Sequence, residues 1–179
     1  MINYIKRQLI IGLLIVLILD ILAIYFTTTT STSIDYHLRS YLQHDINLID
    51  QIHLEDTEFI LFHDLATNQL DVALYEPNAL LFWRYNLSKI ISTPKGAHVN
   101  RCQTYQTSEF LLIWGMNEDL QAHTLKLTVN DQTYLEDLSQ DLYFIKVYPL
   151  NRQIPETIYC SFYNENNDNI SPYFFESFK

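Results

Sequence analysis

The stretch LKLTVNDQTYL, residues 125–135, decides how the chain folds. Leu125, Leu127 and Val129 alternate with Lys126 and Thr128, so an extended segment here has one apolar and one polar face. Asn130-Asp131 follow, two residues that tolerate the positive φ of a tight hairpin turn. Thr133-Tyr134-Leu135 resume the strand beyond it. The segment reads as an antiparallel hairpin.

The same pattern extends outward in both directions. Residues 142–148 form a further strand closed by Pro149, and residues 157–163 another that runs into the polar loop 164–169. On the N-terminal side stand the apolar run 109–114, ended by Gly115, and runs at 80–85, 70–75 and 59–63. Pro77-Asn78 and Ala66-Thr67-Asn68 divide these last three. About eight short strands at such spacing predict an antiparallel sheet, with a sandwich as one way of folding it. Thirteen Tyr, ten Phe and two Trp against three Gly suit strands that pair bulky side chains. Residues 90–107 lack the pattern and read as a long surface loop.

Upstream the period changes. Ile34, Leu38, Tyr41, Leu42, Leu48, Ile49 and Ile52 recur near i, i+3, i+4 and i+7, which predicts a short amphipathic helix from Ile34 that packs on the strands. Ser33 or Asp35 is available at its start, and Asp45 stops or bends it. The fold class is therefore α+β or mainly β.

The strand order over residues 57–170 resembles small membrane-anchored or secreted proteins of Gram-positive bacteria, most of them without an assigned function. The likeness lies in the hydrophobic pattern of residues 59–63, 70–75, 80–85 with Trp83, Ile113-Trp114-Gly115, 125–129 and 143–148. It implies an extracytoplasmic domain and supplies no catalytic residues.

Residues 9–26, LIIGLLIVLILDILAIYF, account for the membrane part of that expectation. Eighteen helical residues span about 27 Å, close to a hydrocarbon core of about 30 Å. Fourteen are Leu, Ile, Val or Phe. They favour insertion by about 4 to 8 kcal/mol, against about 2.5 to 3.5 kcal/mol for one central Asp. Lys6 and Arg7 precede the run and no base follows it in residues 27–33, which predicts a cytoplasmic N-terminus. A cleaved signal peptide is the alternative. Its apolar region is shorter and its cut follows small residues, whereas this run ends in Tyr25-Phe26. The division expected is a cytoplasmic 1–8, a signal anchor 9–26, an exposed stalk 27–33 and an extracytoplasmic domain 34–179.

Gly12, Val16, Asp20 and Ala23 lie within an arc of about 80° on a helical wheel. Small residues beside one acid suit a contact with a second transmembrane helix, from another copy or another protein. The alternative is a protonated or interface-seeking Asp20 with no partner.

Beyond the anchor stand 20 acids and 9 bases, once Asp20, Lys6 and Arg7 are taken from the totals of 21 and 11. Phosphate binding needs clustered bases, so nucleic acid is excluded as a partner. Cys102 and Cys160 either remain free thiols or form one disulfide, whose loop of about 59 residues would contribute about 4 kcal/mol in the chain-entropy model.

No cofactor or metal site emerges. His37 and His44 are seven residues apart, wider than the i, i+4 spacing of helical zinc ligands, and His53, His63, His98 and His123 fit no ligand motif. Glu118-Asp119 and Glu136-Asp137 are adjacent acids beside turns, not carboxylates facing across a cleft. Nucleophile elbows and phosphate loops are missing. The sequence thus predicts a non-catalytic binding or accessory module of the bacterial cell envelope, held by a single-pass anchor. The alternative is an extracytoplasmic hydrolase whose active site assembles from distant strands.

Overall fold

A computed structural model describes residues 2–93, 102–150, 155 and 157–175. Among them the chain is strand-rich and antiparallel throughout, with few helices and one long apolar helix at its N-terminus. That helix is α1 (Ile2–Thr27), and a single tight turn (Ser31–Ser33) leads into α2 (Ile34–Leu42). Four strands follow as a meander: β1 (Ile46–Leu54), β2 (Thr57–Asp64), β3 (Gln69–Pro77) and β4 (Tyr85–Ile91). A second sheet is ordered β5-β6-β9, from β5 (Gln103–Gln106), β6 (Phe110–Met116) and β9 (Tyr143–Pro149). The third is ordered β10-β7-β8, from β7 (Thr124–Val129), β8 (Gln132–Asp137) and β10 (Ile158–Tyr163). A short α3 (Ser171–Phe175) closes the described chain.

Side-chain alternation stacks these elements into layers. Phe110, Leu112 and Trp114 on β6 face the first sheet, where they meet Phe59, Leu61, Val72 and Leu74. Leu111 and Ile113 point the other way, to Leu125, Leu127 and Phe162 of the third sheet. The second sheet is thus buried on both faces, which explains why residues 110–115 read as a continuous apolar run rather than an alternating one. The first sheet is also covered twice. Ile60, Phe62, Ala73 and Tyr75 on its outer side carry Ile34 and Leu38 of α2. In the third sheet's core, Phe174 of α3 stacks on Phe162 with ring centres 3.9 Å apart.

Two turns form as the sequence suggests. Asn130 takes φ 50° in the β7–β8 turn and Asn68 takes φ 56° after β2. Asp64 Oδ1 ties the second turn by accepting the Ala66 and Thr67 amides at 2.8 and 3.2 Å.

Four expectations need correction. The amphipathic helix ends at Leu42, with Gln43 left-handed at φ 59°, and residues 46–54 are a strand. A bulge between Leu48 and Asp50 explains the confusion. Ile46 and Leu48 face α2, whereas Ile49, Ile52 and Leu54 face the second sheet, so the slip imitates helical spacing. Of the strand expected over residues 80–85 only its last residue is one, since β4 begins at Tyr85. The loop expected over 90–107 begins inside β4 and includes β5, while residues 94–101 lie outside the described part. Finally, the segment 27–33 is not an exposed stalk. Thr28 and Thr29 are buried, and Thr29 bridges to Tyr85.

Candidate functional site

That last correction locates the most elaborately built polar site among the described residues, the joint between α1 and the domain. A helix leaves its last four carbonyls without intrahelical partners. Here the helix's own threonines supply a partner for Ile24 and the domain supplies one for Tyr25. Thr28 Oγ1 donates to the Ile24 carbonyl at 2.7 Å. Arg84, buried just before β4, donates through Nη2 to the Tyr25 carbonyl at 2.7 Å and to the Thr28 carbonyl, and through Nε to Thr28 Oγ1 at 2.5 Å. Its guanidinium carbon lies 4.2 Å from the centre of the Tyr25 ring, a cation–π contact. A cation at this end also faces the negative pole of the helix dipole.

The backbone adds a two-bond clasp. Thr29 N donates to Tyr85 O at 2.9 Å and Tyr85 N to Thr29 O at 2.6 Å. From α2, His37 Nδ1 meets the Tyr75 hydroxyl at 3.0 Å, and its ring lies near the Thr27 backbone. Burial depresses the His37 pKa below its usual 6.5, with the Arg84 charge acting the same way against the Thr27 bond, which raises it. Neutral His37 is therefore part of the folded joint. Because the folded-state pKa is depressed, its contribution is fully present above pH 6.5 and is lost as pH falls through the lower folded value. Protection of the Thr29 and Tyr85 amides from hydrogen exchange should fall on acidification to about pH 5. His37→Gln, which cannot titrate, should flatten that dependence.

The loop before Arg84 is drawn closed at its neck. Asn78 N donates to Arg84 O at 2.7 Å, and Asn78 Oδ1 accepts the Leu80 and Leu81 amides at 2.9 and 3.0 Å. Arg84 N donates to Leu81 O at 2.7 Å. With its backbone fixed in this way, the loop presents Leu80, Phe82 and Trp83 outward, at 73, 78 and 55 % exposure. Phe82 and Trp83 touch edge to face with ring centres 4.9 Å apart.

The sites expected from sequence fall elsewhere. Gly12, Val16, Asp20 and Ala23 lie along α1 and are all exposed, so the domain covers none of them. Cys102 is buried before β5, and Cys160 of β10 packs against the same core. The two thiols are free, and Cys102 Sγ lies 3.8 Å from Gln103 O; burial first, and then the neighbouring Cys160, pushes the Cys102 pKa well up. Cys102 is thus a protonated core thiol rather than a nucleophile.

The histidines are dispersed. His44 pairs with Asp64 at 3.0 Å, His53 with Glu58 at 3.2 Å and His63 with Asn68 at 2.9 Å. His98 lies outside the described residues. Among those described, no three His, Cys, Asp or Glu side chains converge as a metal site. Glu136 lies 3.7 Å from Lys146 and accepts the Tyr148 hydroxyl at 3.3 Å, while Asp137 caps the turn by accepting the Ser139 amide at 2.9 Å.

Sequence reasoning missed Arg84, His37 and the loop. One signal was available: a single arginine, without an acid nearby, closing the uncharged run from Pro77 to Trp83. Comparison with protein-family models, curated proteins and solved structures found no match.

Proposed function

We propose that the protein is a single-pass, signal-anchored module of the bacterial cell envelope, with its N-terminus in the cytoplasm and its strand-rich domain outside. It acts there by binding, as a non-catalytic accessory component. One observation carries the reading. Leu9–Thr27 is long and apolar enough to cross a bilayer, and none of it is buried against the domain. A core helix of a soluble fold would be covered, so this one needs an apolar environment from outside the chain. The joint supports retention of the helix over cleavage. Cutting before Thr27 would take the Tyr25 carbonyl and ring from Arg84, leaving a buried guanidinium with fewer partners.

Within this reading, the uncovered stripe of Gly12, Val16, Asp20 and Ala23 is the contact for a second transmembrane helix. An oxidising compartment would let Cys102 and Cys160 form one disulfide; otherwise they remain free thiols. In-membrane crosslinking and pull-down of the full-length chain, beside Asp20→Leu, tests the partner. A crosslinked species that disappears in the variant is the expected outcome. An unchanged pattern would reduce the helix to a tether. Protease added to intact cells should remove the domain and spare an N-terminal tag; a protected domain would reverse the proposed orientation. Turnover abolished by one acid or His substitution would replace the binding reading with the hydrolase.

A further inference from the structure

We infer that the closed loop running from Asn78 to Arg84 is a second membrane contact, with Leu80, Phe82 and Trp83 seated in the outer leaflet of the bilayer that holds α1. The inference rests on the anchor reading and goes beyond it, since a tether alone requires nothing of the domain's surface. Its occupant follows from position. Arg84 bonds the Tyr25 and Thr28 carbonyls, so the loop emerges at the end of the apolar span. Phe82 is two residues from Arg84, at most about 8 Å of chain.

The chemistry agrees with that position. Pro77 to Trp83 contains no ionisable side chain, although the chain as a whole has a net charge of −10. Leu80, Phe82 and Trp83 are exposed, while the loop's backbone groups are bonded to one another at the neck. The amides of Asn78, Leu80, Leu81 and Arg84 are bonded within the loop, which lowers the cost of moving that part of its backbone out of water. On the helix itself Tyr25 and Phe26 are 54 and 79 % exposed. Phe82 and Trp83 stand within two residues of Arg84, whose guanidinium lies 4.2 Å from the Tyr25 ring centre, so the proposal brings both aromatic pairs to the membrane–water boundary, where amphipathic rings gather. Arg84 is withdrawn from this group, since its charge is spent on the helix carbonyls. An acidic domain favours a zwitterionic lipid surface over an anionic one.

Trp83 makes the contact measurable. The other tryptophan, Trp114, is 2 % exposed between two sheets, so the difference between wild type and Trp83→Phe isolates the loop's emission. The full-length chain is reconstituted in phosphatidylcholine vesicles, with and without phosphatidylcholine brominated on its upper acyl carbons. Flotation and resistance to alkaline extraction are scored on the same preparations. The expected result is an inserted chain whose Trp83 emission is blue-shifted and largely lost in brominated vesicles. An inserted chain with unquenched, water-like Trp83 emission would overturn the loop contact and leave the anchor standing. Blue-shifted but unquenched emission would overturn it in favour of a protein occupant, a second copy or another chain. A chain that neither floats nor resists extraction would overturn both readings.

Discussion

Trp114→Ala is expected to cost about 3 to 5 kcal/mol, against a total stability of about 5 to 15 kcal/mol for a domain of ordinary size. Trp114 lies on the central strand of the middle sheet, among Leu112, Ile145 and the first sheet's Leu70 and Val72. Its Nε1 donates across the layer to Leu70 O at 3.1 Å, so it joins two sheets by area and by a hydrogen bond. Neighbours on both sides are themselves held by further layers, which limits how far a cavity could collapse. Trp114→Phe should lose much less. It retains most of the ring volume, and Leu70 O still accepts the Thr93 hydroxyl at 2.6 Å. Chemical denaturation of the full-length chain in detergent micelles measures both variants. Equal losses would mean that the hydrogen bond, not the packing, is what Trp114 contributes.

Arg84→Ala is expected to weaken the joint by about 2 to 4 kcal/mol, because two carbonyls and a threonine hydroxyl lose a charged donor together. The loss is local. Protection of the Thr29 and Tyr85 amides should drop, while the amides of β6 and β9 in the second sheet should keep theirs. Arg84→Lys should rescue little. An ammonium is one compact charge and cannot present separate Nε and Nη2 donors to Thr28 and Tyr25, nor lie flat on the Tyr25 ring. Full recovery in the lysine variant would reduce Arg84 to a dipole-facing charge.

Where the sequence was legible, one side-chain period governed one environment. Leu125-Lys126-Leu127-Thr128-Val129 has a core face and a polar face, and its burial follows that alternation. Residues 110–115 were readable for the opposite reason, since both faces are buried. Legibility failed where a local device broke the period. In β1 the bulge at Leu48–Asp50 moves Ile52 and Leu54 to the other face, and the sum of two faces looked like a helix. In β5, four residues of sequence QTYQ are too short and too polar to stand out. Leu80 to Trp83 failed differently. The run is apolar as a strand would be, but those side chains are turned outward and the backbone is closed by Asn78. The joint was illegible because its parts, Thr28, His37 and Arg84, are scattered in sequence, and only the fold brings them together.

The clamp on Tyr25 and Thr28 also turns α1 into a shaft with a fixed phase. A helix that swivels at its end passes on only its height, whereas one gripped by Arg84 and the Thr29–Tyr85 clasp passes on its azimuth as well. At about 100° per residue, Asp20 sits about 140° around the axis from Tyr25, so under the proposed anchoring whatever Asp20 faces would fix the compass bearing of the domain. One residue inserted between Asp20 and Tyr25 would swing that bearing by about 100° and raise the domain by only about 1.5 Å. Four residues would bring it back to within about 40° of where it began, about 6 Å higher. The number of residues between the acid and the grip is, in that sense, a setting of angle rather than of length.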